Sequence, residues 1–225
     1  MATSYNKFLQ LPLFQGIDKK TLTNIIEKVK FNFKTFDADT HIIKKGMSCK
    51  ALIFILEGDV IKETISQDNT FTIEESIAVN SILEPTSLFG LNPVYHSSYI
   101  CQTETKILSI DKNFIITYLM NDNIFKLNFV NILSSKVHQQ YKSLWYNTNN
   151  HKLIEEFKKF VIQHCEILEG KTVIKISMTD LAIQLRETRL NVSKMLNTLK
   201  KKDIIEMKRL IITIPNLPAL LESDI

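Results

Sequence analysis

Residues 176–202 read ISMTDLAIQLRETRLNVSKMLNTLKKK, and this stretch decides the fold. It predicts two short helices joined by a tight turn. Ser177, followed three residues later by Asp180, gives the first helix a capping-box pattern. Thr188 is an N-cap candidate for a second, longer helix that begins at Arg189.

The second predicted helix has one apolar side and one polar side. Its apolar residues recur at i, i+3, i+4 and i+7, so they share one face and are expected to be buried. They are Val192, Met195, Leu196 and Leu199. The opposite face offers long hydrogen-bond donors for purine edges, one apolar contact for a thymine methyl and cations for phosphates. A solvated surface helix is the alternative, but the two caps and the short spacing favour a helix that reads the major groove of DNA.

The excess positive charge lies at the same end of the chain. The protein has 225 residues and a formal net charge of +4. Residues 171–225 contain ten Lys or Arg against six Asp or Glu, while residues 1–170 contain eighteen of each. A polyanion is therefore the expected partner of the C-terminal quarter.

Bulk composition indicates a soluble globular protein of one large or two small domains. Hydrophobic residues make up 44% of the chain and charged residues 23%. We find neither an apolar run long enough to span a bilayer nor a signal-peptide core. The cysteines Cys49, Cys101 and Cys165 are scattered without a CxxC pair, which favours a reducing compartment. The expected location is the cytoplasm.

The first half of the chain changes from helical to strand periodicity. Residues 8–33 are predicted to be helical in two pieces, the second capped by Asp18. From residue 36 to 110, short β-branched runs alternate with Gly, Pro, Asn and Asp breakers, which indicates an antiparallel barrel or roll. The runs with strand character are 41–44, 51–56, 60–64, 70–74, 77–83 and 107–110.

A long helix is predicted from residue 121 to about 146. Six of its residues step by 3, 4, 3, 4 and 3, which is a heptad seam typical of helix pairing. Phe125, Phe129 and Ile132 lie off the seam and are expected to pack on the roll. Packing of both stripes into one core is the alternative, but we expect dimerisation. The predicted dimer interface consists of Leu127, Val130, Ser134, Val137, Tyr141 and Leu144.

The C-terminal domain begins after the polar hinge at residues 146–150. A helix from about 153 to 164 and a strand at 172–176 precede the two-helix stretch. After it, strands at 204–205 and 210–214 flank residues 206–209, so this part is predicted to be a winged helix-turn-helix. Lys208 and Arg209 are expected at the tip of the wing, near a phosphate.

The order of these parts resembles that of the Crp/Fnr superfamily of bacterial transcription regulators along essentially the whole chain. Three stretches carry the resemblance: FLQLPLFQG at 8–16, IIKKG at 42–46 with LIFILEGDV at 52–60, and SMTDLAIQLRETRLNVSK at 177–194. The implied fold is α+β, with an antiparallel β-roll (a double-stranded jelly roll) at residues 1–120. A dimerisation helix at 121–146 and a winged helix-turn-helix at 147–225 follow.

The resemblance assigns Thr188, Arg189, Leu190 and Lys194 to positions that touch DNA. Leu190 stands where a glutamate is common and Lys194 where an arginine is common, so we expect an altered target sequence. Arg186 stands where the family often has a turn glycine. The predicted DNA-contacting residues are Ser177, Thr188, Arg189, Leu190, Asn191, Ser193, Lys194, Asn197, Lys201, Lys208 and Arg209.

The roll lacks the family's cyclic-nucleotide signature. Leu91 follows Gly90 where the family's ribose-binding glutamate is expected, and no arginine occurs between Leu83 and Lys106. Because a buried phosphate needs cationic or preorganised donors, cyclic AMP is not the expected effector. The alternatives left open are a different small-molecule effector or none. Candidates for the effector pocket are Phe89, Gly90, Leu91, His96, Ser97 and Ser98.

Other functions have less support. The chain has no cysteine before Cys49 for an iron–sulfur cluster, and no spacing supports haem ligation by His41, His96 or Met47. We expect no metal and no resident cofactor. Enzyme motifs such as HExxH, GxSxG or a Walker loop are missing from the sequence. The prediction is a homodimeric, sequence-specific DNA-binding regulator with double-stranded DNA and RNA polymerase as partners. The alternative is a ligand-binding or protein-interaction module whose DNA-binding domain is non-functional.

Overall fold

The computed structural model describes residues 7–144, 152–167 and 170–223. The helices are α1 (Lys19–Lys28), α2 (Lys112–Thr117), α3 (Asn123–Leu144), α4 (Leu153–His164), α5 (Met178–Gln184), α6 (Arg189–Lys201) and α7 (Leu217–Glu222). The strands are β1 (Phe31–Phe36), β2 (His41–Ile43), β3 (Ala51–Glu57), β4 (Val60–Ile65), β5 (Phe71–Ile77), β6 (Ser98–Cys101), β7 (Thr105–Asp111), β8 (Thr172–Ile176), β9 (Glu206–Lys208) and β10 (Ile211–Ile214). The predicted α+β fold class, with an N-terminal antiparallel sheet domain, a long helix and a C-terminal helix-turn-helix, is confirmed.

The chain divides into two compact units. Among the described residues, the first contains 7–61 and 77–137, and the second contains 62–76 and 138–223. Each unit has its own cluster of buried apolar side chains. No helix in the described part of the chain is long and apolar enough to cross a bilayer.

The first unit is built on antiparallel strands. Strands β1, β7 and β3 pair in that order, and β2 pairs with β6. Helix α1 begins where predicted, because Asp18 Oδ1 accepts hydrogen bonds from the backbone N–H groups of Lys20 (2.9 Å) and Thr21 (3.1 Å). On α3, Phe125 and Phe129 are buried in this unit's core, as predicted for the stripe that lies off the seam.

Two sequence predictions for this unit are wrong. Residues 31–33 are not helical, because Phe31–Phe36 pairs with β7 through six consecutive residues. Residues 78–83 do not form a strand, because Asn80 adopts a left-handed φ of 66° that extended backbone cannot contain. This segment instead bonds irregularly to β3, with Leu83 N–H donating to the Ile53 carbonyl at 2.9 Å.

The second unit contains an antiparallel sheet in the order β5, β8, β10, β9. Strand β5 comes from the part of the sequence predicted to belong to the roll, and it pairs with β8 from Phe71 opposite Ile176 to Glu75 opposite Thr172. Phe71 also packs edge-on against Phe160 of α4, with ring centroids 5.2 Å apart.

A buried ion network holds residues 62–76, which contain most of β5, in the second unit. The Lys62 ammonium lies 3.1 Å from a Glu75 carboxylate oxygen and 2.5 Å from a Glu166 carboxylate oxygen. The second Glu75 oxygen accepts the Ile167 backbone N–H at 2.6 Å. Burial alone would lower the pKa of Lys62, but the Glu75 and Glu166 carboxylates outweigh burial and raise it.

Candidate nucleic-acid interface

Helix α5 begins at the predicted cap. The Ser177 hydroxyl oxygen accepts the Asp180 backbone N–H at 3.0 Å, and the hydroxyl donates to Asp180 Oδ2 at 2.5 Å. Leu181 and Ala182 on the inner side of the helix are buried. The Ser177 side chain is half-buried and already engaged at the helix start.

The turn between α5 and α6 ends the first helix in a defined way. Arg186 has a φ of 53°, the left-handed conformation that glycine favours. Its backbone N–H donates to Ile183 (3.1 Å), and that of Glu187 donates to Ala182 (2.9 Å). These two bonds form a Schellman motif that satisfies the last carbonyls of α5. The left-handed arginine costs about 1 kcal/mol relative to glycine. The turn is tight even though it contains no glycine.

Helix α6 has the predicted division into a buried and an exposed side. Thr188 caps it by accepting the Asn191 backbone N–H at 3.3 Å. Val192, Leu196 and Leu199 are completely buried, and Met195 is half-buried. Burial of that stripe turns the opposite side outward, where Leu190 is 64% exposed. Other predicted contact residues that are exposed are Thr188, Arg189, Asn191, Lys194, Asn197 and Lys201, whereas Ser193 is half-buried.

Glu187 is a charged residue at this surface that the sequence analysis did not single out. Its Oε2 accepts the Thr188 backbone N–H at 2.9 Å and the Asn191 side-chain amide at 3.0 Å. The bond from the Thr188 backbone, followed by that from Asn191, lowers the pKa of the Glu187 carboxyl from its ordinary value. A stable carboxylate therefore lies beside the start of α6.

The strands of the wing, β9 and β10, begin later in the sequence than predicted. Residues 204–205 are not a strand, because the Ile204 N–H closes the end of α6 by donating to Leu199 at 3.1 Å. Lys208 lies on β9, and the chain turns at Arg209 and Leu210, where Leu210 has a φ of 63°. Lys208 and Arg209 are both exposed.

Predicted contact residues from three elements line one groove. The groove has a volume of about 330 Å³, and its lining includes Ser177, Arg189, Lys208 and Arg209. Three cationic side chains thus share a concave surface between the helix starts and the wing. Such a surface suits a polyanion backbone.

The predicted dimer seam lies on the exposed side of α3. Leu127 is 60% exposed, Val130 56%, Val137 62% and Tyr141 59%, and Ser134 is also exposed. The backbone of Leu144 belongs to α3, but its side chain lies outside the described residues. Exposed large apolar side chains in a row are typical of an interaction surface.

The effector-pocket candidates differ in their exposure and in their contacts. Leu91 is fully exposed, and the Ser98 hydroxyl accepts the Lys45 backbone N–H at 3.1 Å. The half-buried Phe89 ring packs edge-on against Phe129 at 5.7 Å, next to the exposed Gly90. His96 and Ser97 donate to Glu84, a buried residue that is not among the predicted pocket candidates.

The chain resembles known proteins in the sequence of its C-terminal part and in its fold. Residues 153–223 match the family of Crp-like helix-turn-helix domains. The structure is similar to the catabolite activator protein of Thermus thermophilus, with 15% identity, a TM-score of 0.52, and coverage of 94% of this chain and 97% of that one. It is also similar to the sensor domain of the transcriptional regulator DNR from Pseudomonas aeruginosa, with 13% identity, a TM-score of 0.52, and coverage of 66% and 97%. No curated protein matches the sequence.

Proposed function

Because residues 153–223 form a Crp-like helix-turn-helix domain within a fold shared with catabolite activator protein, we propose that the chain is a homodimeric, sequence-specific DNA-binding transcription regulator of the Crp/Fnr type. The observation that carries the proposal is the orientation of α6. Its apolar stripe is buried, so its cationic and amide side chains face outward beside the groove of Arg189, Lys208 and Arg209. A DNA partner implies that the protein acts in the cytoplasm.

The exposed contact residues of α6 and the wing divide by chemistry into two roles. Arg189, Lys194 and Asn197 carry donors long enough for purine edges, and Leu190 supplies an apolar contact for a thymine methyl. Lys201, Lys208 and Arg209 are point charges or forks suited to phosphates, which fix the register without reading sequence. Thr188, Asn191 and the half-buried Ser177 and Ser193 serve first as helix caps and neighbours of these residues.

DNA binding is tested by fluorescence anisotropy with a palindromic duplex from near the protein's own promoter. The half-sites should lie about 34 Å apart, and the affinity should fall steeply with salt. Lys194→Ala should weaken binding about tenfold. Lys175→Ala is the matched control, because the Lys175 ammonium is already paired with the Glu74 carboxylate. No binding at low salt by a folded dimer would refute the proposal and leave the interaction-module alternative.

The homodimer is proposed to form through the seam on α3. The exposed residues repeat at heptad spacing, which suits pairing with the same helix of a second copy across a two-fold axis. Val137→Asp places a charge in the seam and should give a monomer by light scattering. Ser135→Asp adds the same charge to the exposed residue two positions away and should leave the dimer intact. A wild-type protein that is monomeric at micromolar concentration contradicts this part of the proposal.

Cyclic AMP is not the proposed effector. The absence of arginine between Leu83 and Lys106, together with the exposure of Leu91, supports this part of the proposal. Titration of cyclic AMP into the protein should give no binding heat and no change in DNA affinity. RNA polymerase is the proposed protein partner, since a regulator of this type acts at promoters.

A further inference from the structure

Glu84 is a carboxylate enclosed by hydrogen-bond donors. It stands before the short 3-10 turn Pro85–Ser87 with a φ of 40°, and its side chain is only 5% exposed. One carboxylate oxygen, Oε1, accepts the His96 backbone N–H at 2.7 Å, His96 Nδ1 at 2.8 Å and the Ser87 hydroxyl. The other, Oε2, accepts the Ser97 backbone N–H at 3.3 Å. Because a carboxylate can only accept, His96 Nδ1 carries the proton in this arrangement.

These donors are the kind that bind small anions in other proteins. Two successive backbone N–H groups, a hydroxyl and an imidazole N–H converge on one position, and such concave arrangements hold phosphate or carboxylate groups. Here the converging groups of Ser87, His96 and Ser97 hold a side chain of the same unit. An external anion would have to displace a buried carboxylate and then lie beside its negative charge.

The same loop also contacts the long helix. Five residues after Glu84, the Phe89 ring packs against Phe129 of α3 at a centroid distance of 5.7 Å and an interplanar angle of 90°. The Lys112 ammonium lies 5.0 Å from the centroid of the Phe89 ring. Phe129 precedes the seam residue Val130 by one position. The position of the loop is therefore linked through packed side chains to the helix that carries the seam.

We propose that Glu84 is a built-in anionic ligand, which occupies the donor cradle formed by Ser87, His96 and Ser97 and fixes the loop against α3 without a small molecule. The loop therefore does not accept the acid group of an external effector. A consequence that rests on the proposed function is that the protein binds DNA without any added effector. The cradle itself is a property of the first unit and stands or falls separately.

The test is chemical rescue of the full-length Glu84→Ala variant by small anions. Removing the carboxylate takes this acceptor from the donors of the buried Ser87 and Ser97 and should lower the thermal midpoint by roughly 5–10 °C. Formate, acetate or inorganic phosphate should restore a saturable part of that loss, compared with chloride at matched ionic strength. Glu57→Ala removes an exposed carboxylate from the same unit and should respond to these anions no differently from the wild type.

Three results would overturn the proposal. The first is a folded Glu84→Ala variant that none of these anions stabilises beyond chloride. The second is saturable stabilisation by these anions that is as large in the wild type as in Glu84→Ala. The third comes from hydrogen exchange, which serves even if Glu84→Ala does not fold. The His96 and Ser97 amides should exchange slowly in the wild type and faster in Glu84→Gln, so wild-type rates like those of an exposed loop contradict the cradle. None of these readouts involves DNA, so failure of the cradle and failure of the proposed function are distinguishable.

Discussion

Glu84 and Glu187 lie in different units, and each accepts hydrogen bonds that an external anion could otherwise take. Glu84 accepts from four donors and is buried, whereas Glu187 accepts from two donors and is exposed. Water competes for the donors around Glu187. Beside Glu84, Ser87 and Ser97 are buried, although the His96 side chain is 76% exposed. Similar hydrogen bonds are therefore protected by burial of the carboxylate at Glu84 and are open to displacement by water or an anion at Glu187.

The largest expected difference between the two carboxylates is in stability. Glu84→Ala removes the acceptor of the buried Ser87 hydroxyl and Ser97 N–H and should lower the free energy of unfolding by about 2–3 kcal/mol. Glu187→Ala leaves its donors open to water, so the urea midpoint should fall far less than in Glu84→Ala. Urea unfolding followed by circular dichroism compares the two variants directly. Equal losses would show that burial does not distinguish the two sites.

A smaller effect is expected on DNA affinity, and only from the exposed carboxylate. Glu187 holds the Thr188 N–H and the Asn191 amide, which lie at the start of α6 where a phosphate would bind. Glu187→Gln should therefore raise the affinity for the palindromic duplex roughly threefold, the scale of exposed charge interactions. Glu27→Gln removes the same charge from exposed α1 and controls for net charge. Unchanged or weaker binding by Glu187→Gln would mean that the carboxylate is not a competitor of DNA.

The smallest effect is on proton binding. The Thr188 backbone bond, followed by the Asn191 bond, holds the pKa of Glu187 below 4.5. A lowered folded-state pKa means that these bonds stabilise the fold fully above the unfolded pKa, and that this contribution is lost as the pH falls through the folded pKa. Carboxyl NMR titration should give a pKa below 4.5 in the wild type and a value closer to it in Asn191→Ala. An identical pKa in both proteins contradicts the role of Asn191.

The helix-turn-helix was predictable because its signals are local. Both caps, the buried stripe of Val192, Leu196 and Leu199, and the outward face of α6 depend on spacings of at most seven residues. Strand β1 was not predictable in the same way, because its paired residues on β7 lie 69 to 79 positions away. The helix predicted from the pattern of residues 8–30 was therefore extended wrongly into β1.

The candidate interface was predicted better than the loop around Glu84. The side chains of α6 face outward because of the helix period alone. Of the partners of Glu84, His96 and Ser97 lie twelve and thirteen residues away and meet it only through the fold of the first unit. In the wing, the first strand was predicted at residues 204–205 because Ile204 has strong strand propensity. In the structure, the Ile204 N–H instead donates to the Leu199 carbonyl at the end of α6, which keeps Ile204 out of the sheet.

Strand β5 makes the C-terminal unit discontinuous in the sequence. Residues 62–76 supply a strand, the aromatic contact of Phe71 and the buried Lys62–Glu75 pair. Some sixty residues separate this segment from residue 138, where the rest of the unit begins. A fragment cut at the polar hinge would carry the matched domain 153–223 but expose the edge of β8 and leave Glu166 without its ammonium partner. We therefore expect a chimera made by a single junction at the hinge to be less stable than one that moves both segments together.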